Sequence, residues 1–299
     1  MPGIGRGISP FLKRNLASAV APNAFILSWY NALSVKPSAA LTSALNDLTA
    51  GMNTDGDWTE LDFFALAAGM ETQEQALRPL KTTGSATMTN FDNGGGGLVW
   101  SVNGWAANTL DVIRTGYNLS TNSVKYTLNS AFIGFYGNTR ANTETSASVF
   151  SVYYTVDALT QYQSDLIRTT DGTSVTVNCP PLNIDTSGFN SSISKSKTNG
   201  NANFPYYIGL KRTGAAASIA FINGSNSSNN TSPSSLIPVG EIPFMGILNN
   251  DIATPAQDWT GMESGYGRAG LIGSGSVSQD NTGSRLNTFF TARGLSPYV

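Results

Sequence analysis

The chain has 299 residues, with 17 Lys and Arg against 19 Asp and Glu, giving a formal net charge of -2. That balance leaves no basic surplus for nucleic acid or an anionic membrane. No histidine and a single cysteine exclude imidazole catalysis, imidazole metal sites and an intrachain disulfide. Charged residues make up 12% of the chain, about half the usual share of soluble domains, and 31 glycines with abundant Ser, Thr and Asn take their place. Such a composition favours strands joined by tight turns. No apolar run approaches the ~18 residues that a membrane span needs.

Residues 1–21 read as an extended arm punctuated by Gly and Pro, with Ile4, Arg6, Ile8, Phe11, Lys13 and Arg14 as its docking side chains. Asn15, Ser18 and Pro22 interrupt the apolar stretch behind the basic residues, so a secretory leader is not expected. Residues 22–81 read as a small helical module. A short helix is predicted over 23–33, and a second is capped at Ser38 with Leu41, Ala44, Leu45 and Leu48 on one face. A further piece starts at Thr72 and closes at Pro79. Between them, residues 57–68 predict the strongest helix in the chain. Asp57 and Glu60 match a capping box, and Trp58, Leu61, Phe64, Ala65 and Ala68 recur at helical spacing. Trp58, Leu61, Phe64 and Ala68 are then the expected seam between the module and a β domain.

From residue 82 the texture changes, and 82–299 reads as that β domain. Strands are predicted over 83–91, 97–102, 111–115, 130–136, 146–156, 164–169, 174–177, 206–211, 217–222 and 242–248. The Gly-rich run 92–97 has no following helix and no Lys-Ser/Thr, so it reads as a turn and not a phosphate loop. Asp171-Gly172 and Asn223-Gly224 are hairpin signals. Residues 225–235 read as an exposed polar loop. A closing helix over 280–293 places Leu286, Phe289 and Phe290 on one face, with Gly294 as its cap. The predicted class is mainly β: an antiparallel sandwich or jelly roll, preceded by a small helical module and closed by a short C-terminal helix.

Glycoside hydrolysis needs two carboxylates roughly 5–10 Å apart across a cleft. Glu60 and Asp62 lie two positions apart on the predicted helix, where side chains diverge, so they read as cap and surface. The remaining acids are scattered, and no catalytic residue, cofactor or metal is assigned. Asn249, Asn250, Asp251 and Asp258 are the one oxygen-rich set with Ca²⁺-type ligands, in a loop composition that rarely holds the ion. Cys179, followed by Pro180 and Pro181, reads as a buried structural thiol. Aromatic candidates for stacking on sugars are Trp100, Trp105, Tyr117, Trp259 and Tyr266. Core packing is the expectation for Trp100 and Trp105, leaving Trp259 and Tyr266 for contact with a glycan or another subunit.

The run PSAA at 37–40, WTELD at 58–62, RTGYNLST at 114–121 and YTLNSA at 126–131, within a Gly-rich β tract, resemble a group of bacteriophage virion proteins of the tail-fibre or head-fibre type. Residues 250–278 depart from that pattern and read as an irregular insertion. The resemblance implies a concanavalin-A-like lectin/glucanase jelly roll in a non-enzymatic structural protein of the virion. It implies docking on other virion proteins through residues 1–16, assembly as a homo-oligomer, and a host-surface glycan as a further partner. Nucleic acid, membrane and cofactor are not implied. The alternatives are a receptor- or glycan-binding adhesin on the same fold and, further off, a polysaccharide depolymerase.

Overall fold

The computed structural model describes residues 20–106, 110–138, 145–155, 161–164, 167–170, 174–179, 182–185, 193–198, 204–224, 226–251, 257–261 and 265–298. The predicted arm residues Ile4, Arg6, Ile8, Phe11, Lys13 and Arg14 lie outside these. Helices α1 (Leu27–Ala32) and α2 (Ala39–Thr54) come first, followed by the single turn α3 (Asp57–Glu60). Ser38 caps α2 by accepting the Leu41 N–H at 3.2 Å. Asn23 ties the entry to α1 onto α2, accepting nothing from it but donating to the Asn46 carbonyl and the Thr49 hydroxyl. Strand β1 (Leu61–Leu66) then runs directly out of α3, and α4 (Gln73–Ala76) and β2 (Lys81–Thr82) follow.

The helix predicted over 57–68 is therefore one turn and a strand. Every residue of β1 is buried. It pairs antiparallel with a late strand, Phe64 opposite Leu271, and on its other side with β2, Phe63 opposite Thr82. A strand covered on both faces carries an unbroken apolar run, which periodicity does not separate from a buried helix. Asp57 does not cap its own turn. Its carboxylate reaches across the molecule to accept the Ser278 N–H at 2.7 Å and the Thr282 hydroxyl at 3.0 Å.

The first half of the β region holds β3 (Thr89–Phe91), β4 (Val99–Ser101), β5 (Gly104–Ala106), β6 (Val112–Arg114), the turn α5 (Leu119–Asn122) and β7 (Ala131–Asn138). Next come β8 (Thr145–Ser148), β9 (Ser151–Thr155), β10 (Gln161–Ser164), β11 (Ile167–Thr170), β12 (Ser174–Cys179), β13 (Ile184–Asp185) and β14 (Ile193–Thr198). The last group is β15 (Pro205–Gly214), β16 (Ala217–Ile222), β17 (Asn226–Asn230), β18 (Gly246–Asp251), β19 (Gln257–Gly261), β20 (Tyr266–Gly273) and α6 (Gln279–Ala292).

The largest sheet has the order β17-β16-β15-β7-β20-β1-β2, with β5 and its partner β4 joining at β20. Smaller sheets are β13-β10-β9-β18-β19, β14-β12-β11-β8 and β3-β6. Pairing among the described strands is antiparallel except for β9 with β18. The class is mainly β, as predicted, with helices before the sandwich and one closing it. Among the described residues, no helix is long and apolar enough to cross a membrane.

Alternation along the strands gives the large sheet two buried faces. On one, Phe64 meets Trp58 with ring centroids 6.3 Å apart, and Tyr136 meets Phe290 of α6 at 4.6 Å. On the other, Phe63 lies 5.2 Å from Tyr117 and Phe135 lies 5.5 Å from Phe244. Rings crowd the glycines of these strands, from the same strand and from its neighbours. A Cβ on Gly137 would fall 2.6 Å from Phe135 and from the Tyr206 hydroxyl, and one on Gly209 would overlap the Phe221 ring.

Two further expectations are corrected. Part of the predicted polar loop 225–235 is β17, an edge strand paired with β16, for which backbone hydrogen bonds suffice without apolar side chains. The stretch 250–278 contains β19 and the central strand β20, so it is not an irregular insertion; its Gly-rich sequence hid a strand whose glycines accept the rings of the facing layer. The Asn223-Gly224 signal does join β16 to β17, with φ of 52° and 80°. The closing helix is capped by Ser278, which accepts the Asn281 N–H at 3.3 Å, and buries Leu286, Phe289 and Phe290.

Two outcomes test this frame. Phe64→Asp would bury an unpaired charge inside the sheet's apolar layer and cost at least about 3 kcal/mol, read as a large drop in Tm. Burial pushes the Asp57 carboxyl above its usual value, outweighing the two hydrogen bonds that pull it down. A carboxyl raised on folding contributes stability while protonated, and that contribution is lost as pH rises through its folded value. Urea melts from about pH 4 to about pH 7 should then show Asp57→Asn gaining on the wild type as pH increases.

Candidate functional site

Most of the described carboxylates are taken up by structural bonds. Asp62, fully buried in β1, accepts the backbone N–H groups of Val124, Lys125 and Tyr126 at 3.1, 2.7 and 2.6 Å on one oxygen. Glu60, two residues earlier, lies 3.7 Å from the Lys125 ammonium, so both acids are held by the 124–126 segment, and Asp62 is not the surface residue expected, because it sits on a buried strand and not on a helix. Asp111 accepts the N–H groups of Asn93 and Gly95 at 2.8 and 3.2 Å and so fixes the Gly-rich turn. Asp92 accepts those of Gly94 and Gly96, bonds that hold its carboxyl below the usual range. Asp55 makes two bonds to Arg285 at 2.8 and 3.0 Å. Glu241 pairs with Arg114 at 2.8 Å and accepts the Gly116 N–H at 2.8 Å.

Among the described residues, no group of three or more His, Cys, Asp or Glu could hold a metal ion. Asn249 faces Asp258 across β18 and β19, and Asp251 ends β18. Their side chains, and that of Cys179, lie outside the described residues.

The aromatic candidates separate in the same way. Trp105 and Tyr117 are fully buried, and Trp100 is half-buried with its indole N–H donating to the Ala67 carbonyl at 3.0 Å. Trp259 stands opposite Leu248 in β19, its side chain outside the described residues. Tyr266 opens β20 between Ala106 and Asn138 and is half-buried. Of the expected seam, Leu61, Phe64 and Ala68 are fully buried and Trp58 keeps 7% exposure. All four remain in the core, with Leu61 and Phe64 on a strand.

A cleft that sequence reasoning missed opens beside Trp58. It has a volume of about 370 Å³ and lies between α1 and the connection from α4 to β2, lined by Phe25, Trp29, Trp58, Arg78 and Lys81. A second lobe of about 490 Å³ continues past Arg78 and Pro79 to Glu74, Leu77 and Met88. The Phe25 and Trp58 rings are 5.8 Å apart. The Trp29 indole N–H donates to the Arg78 carbonyl at 3.2 Å, which fixes that ring. The Lys81 ammonium sits 5.3 Å from the Trp58 ring centroid and donates to the Trp58 carbonyl, and burial pushes its pKa down. Glu74 is engaged by the Ser34 N–H at 2.8 Å and by the Ser34 hydroxyl, bonds that hold its carboxyl low. The signal for this site was only the basic pair flanking Pro79 and Leu80; nothing local placed α1 against it.

No protein-family profile matches the chain, and no curated protein matches it. Among solved structures, the sialidase CBM40 of Ruminococcus gnavus bound to α2,6-sialyllactose matches at 14% identity and a TM-score of 0.35, over 56% of this chain and 89% of that one. The botulinum neurotoxin serotype D binding domain matches at 8% identity and a TM-score of 0.40, over 77% of this chain and 51% of that one. Domain 4 of AbnA, a GH43 arabinanase from Geobacillus stearothermophilus in complex with arabinotriose, matches at 10% identity and a TM-score of 0.33, over 75% of this chain and 99% of that one.

Proposed function

We propose that this chain is a non-catalytic structural component of a bacteriophage virion, held to other virion proteins by residues 1–16 and displaying a lectin-like β-sandwich as part of a fibre, spike or decoration. Placement in the virion rests on the sequence resemblance at 37–40, 58–62, 114–121 and 126–131. The observation that carries the non-catalytic part is the use of the carboxylates. Asp55, Asp57, Asp62, Asp111 and Glu241 are each bonded to backbone N–H groups, a hydroxyl or an arginine, and glycoside hydrolysis needs a facing pair that is free to act. In this reading residues 1–21 are an arm, 22–81 supply the helical layer together with β1 and β2, and the chain assembles as a homo-oligomer.

A second reading, an adhesin that binds host glycans, is favoured by the cleft at Trp58, where aromatic walls and two cations converge. The virion reading is tested by deleting residues 1–16. The shortened protein should melt at the same temperature as the full chain and be missing from purified particles. Particles that retain it would overturn docking through the arm.

A further inference from the structure

We propose that the cleft between α1 and the α4–β2 connection binds a carboxylated sugar residue of an acidic glycan, with Arg78 receiving the carboxylate and the half-buried Phe25 ring lying beside the sugar. The inference deepens the adhesin reading and rests on it.

Charge sets Arg78 apart. The other arginines whose side chains the structure describes all have partners. Arg114, Arg285 and Arg293 pair with Glu241, Asp55 and Glu71, and the buried Arg212 and Arg268 donate to backbone carbonyls. Arg78 makes neither a hydrogen bond nor an ion pair from its guanidinium, and its Nε is buried without a partner. A guanidinium with neither a hydrogen bond nor an ion pair can take an incoming acceptor, and a carboxylate matches its fork. Glu74, the acid of the adjoining lobe, is hydrogen-bonded by Ser34 through both oxygens and feels the Arg78 charge without forming an ion pair with it. Lys81 adds a second positive charge on the same wall and likewise makes no ion pair.

Shape and surface narrow the class. Each lobe lies within the roughly 300–1,000 Å³ range of small-molecule sites, room for one or two sugar rings. Phe25, half-buried in the cleft wall and backed by the buried Trp58, offers an apolar ring to the C–H face of a pyranose, a feature that an inorganic anion would not use. An acidic peptide is disfavoured because strand addition needs a free edge, and β2 supplies only two residues of one.

The test is isothermal titration of the full chain with oligosaccharides ending in glucuronate, galacturonate or sialate, each beside its carboxyl-reduced counterpart. At least one acidic sugar should bind, with its reduced counterpart about tenfold weaker or worse. Arg78→Gln should lower affinity by a similar factor without moving the melting temperature, and Phe25→Ala by a few-fold. Three results would overturn the site: a neutral counterpart binding equally well, Arg78→Gln binding like the wild type, or a glutamate-rich peptide or inorganic phosphate competing as effectively as the sugar. A neutral glycan bound independently of Arg78 would sink the site and leave the adhesin reading standing. No binding by any sugar, acidic or neutral, would remove both.

Discussion

The structure depends on stacking aromatic rings over glycines in a sheet that is buried on both faces. β7, β15 and β20 each carry glycines inside the sheet, and rings from the same strand, from the neighbouring strand or from the facing layer crowd the bare backbone there. Gly134 sits beneath the rings of Phe132 and Tyr207, and Gly270 beneath those of Phe150 and Phe244. This arrangement lets large side chains fill a thin layer at interior density without strain. It also commits the fold to two covering layers. α2 and α6 close one face, and the smaller sheets with Tyr117, Phe150 and Phe244 close the other. The high glycine content noted in the composition is thus a packing requirement as much as a turn requirement.

Buried charge is the second organising device. Asp57 joins the start of β1 to the start of α6, and Asp62 gathers three N–H groups of the segment that follows α5. Arg212 collects the carbonyls of Leu182, Ala215 and Ser232, and Arg268 lies over the Tyr136 and Phe290 rings while donating to Ser296 at 2.8 Å. Each of these groups ties segments far apart in sequence, and each would be costly to leave single. That economy is what makes the unpartnered guanidinium of Arg78 stand out.

What could be read from the sequence was whatever a few adjacent residues decide. The caps at Ser38 and Thr72, the turn at Asn223 and Gly224, and the face formed by Leu286, Phe289 and Phe290 are all local, and the structure keeps them. β16 was legible because Ala217–Ile222 lies between turn signals and is rich in Ile and Phe. β1 was not, because a strand covered on both sides loses the alternation that marks strands. β17 escaped because an edge strand of Asn and Ser is indistinguishable by composition from a loop. The cleft was invisible for a different reason: Phe25 and Arg78 meet only after α1 folds back against the α4–β2 connection, and no pattern within either segment announces the other.

The pairing of β1 with β20 has a kinetic consequence. About two hundred residues separate Phe64 from its partner Leu271, and β7 also needs β20 at its flank. The central sheet therefore cannot close until β20 has been synthesised, about two hundred residues after β1, which is apolar on both sides. Such a strand is a ready template for pairing with other nascent chains.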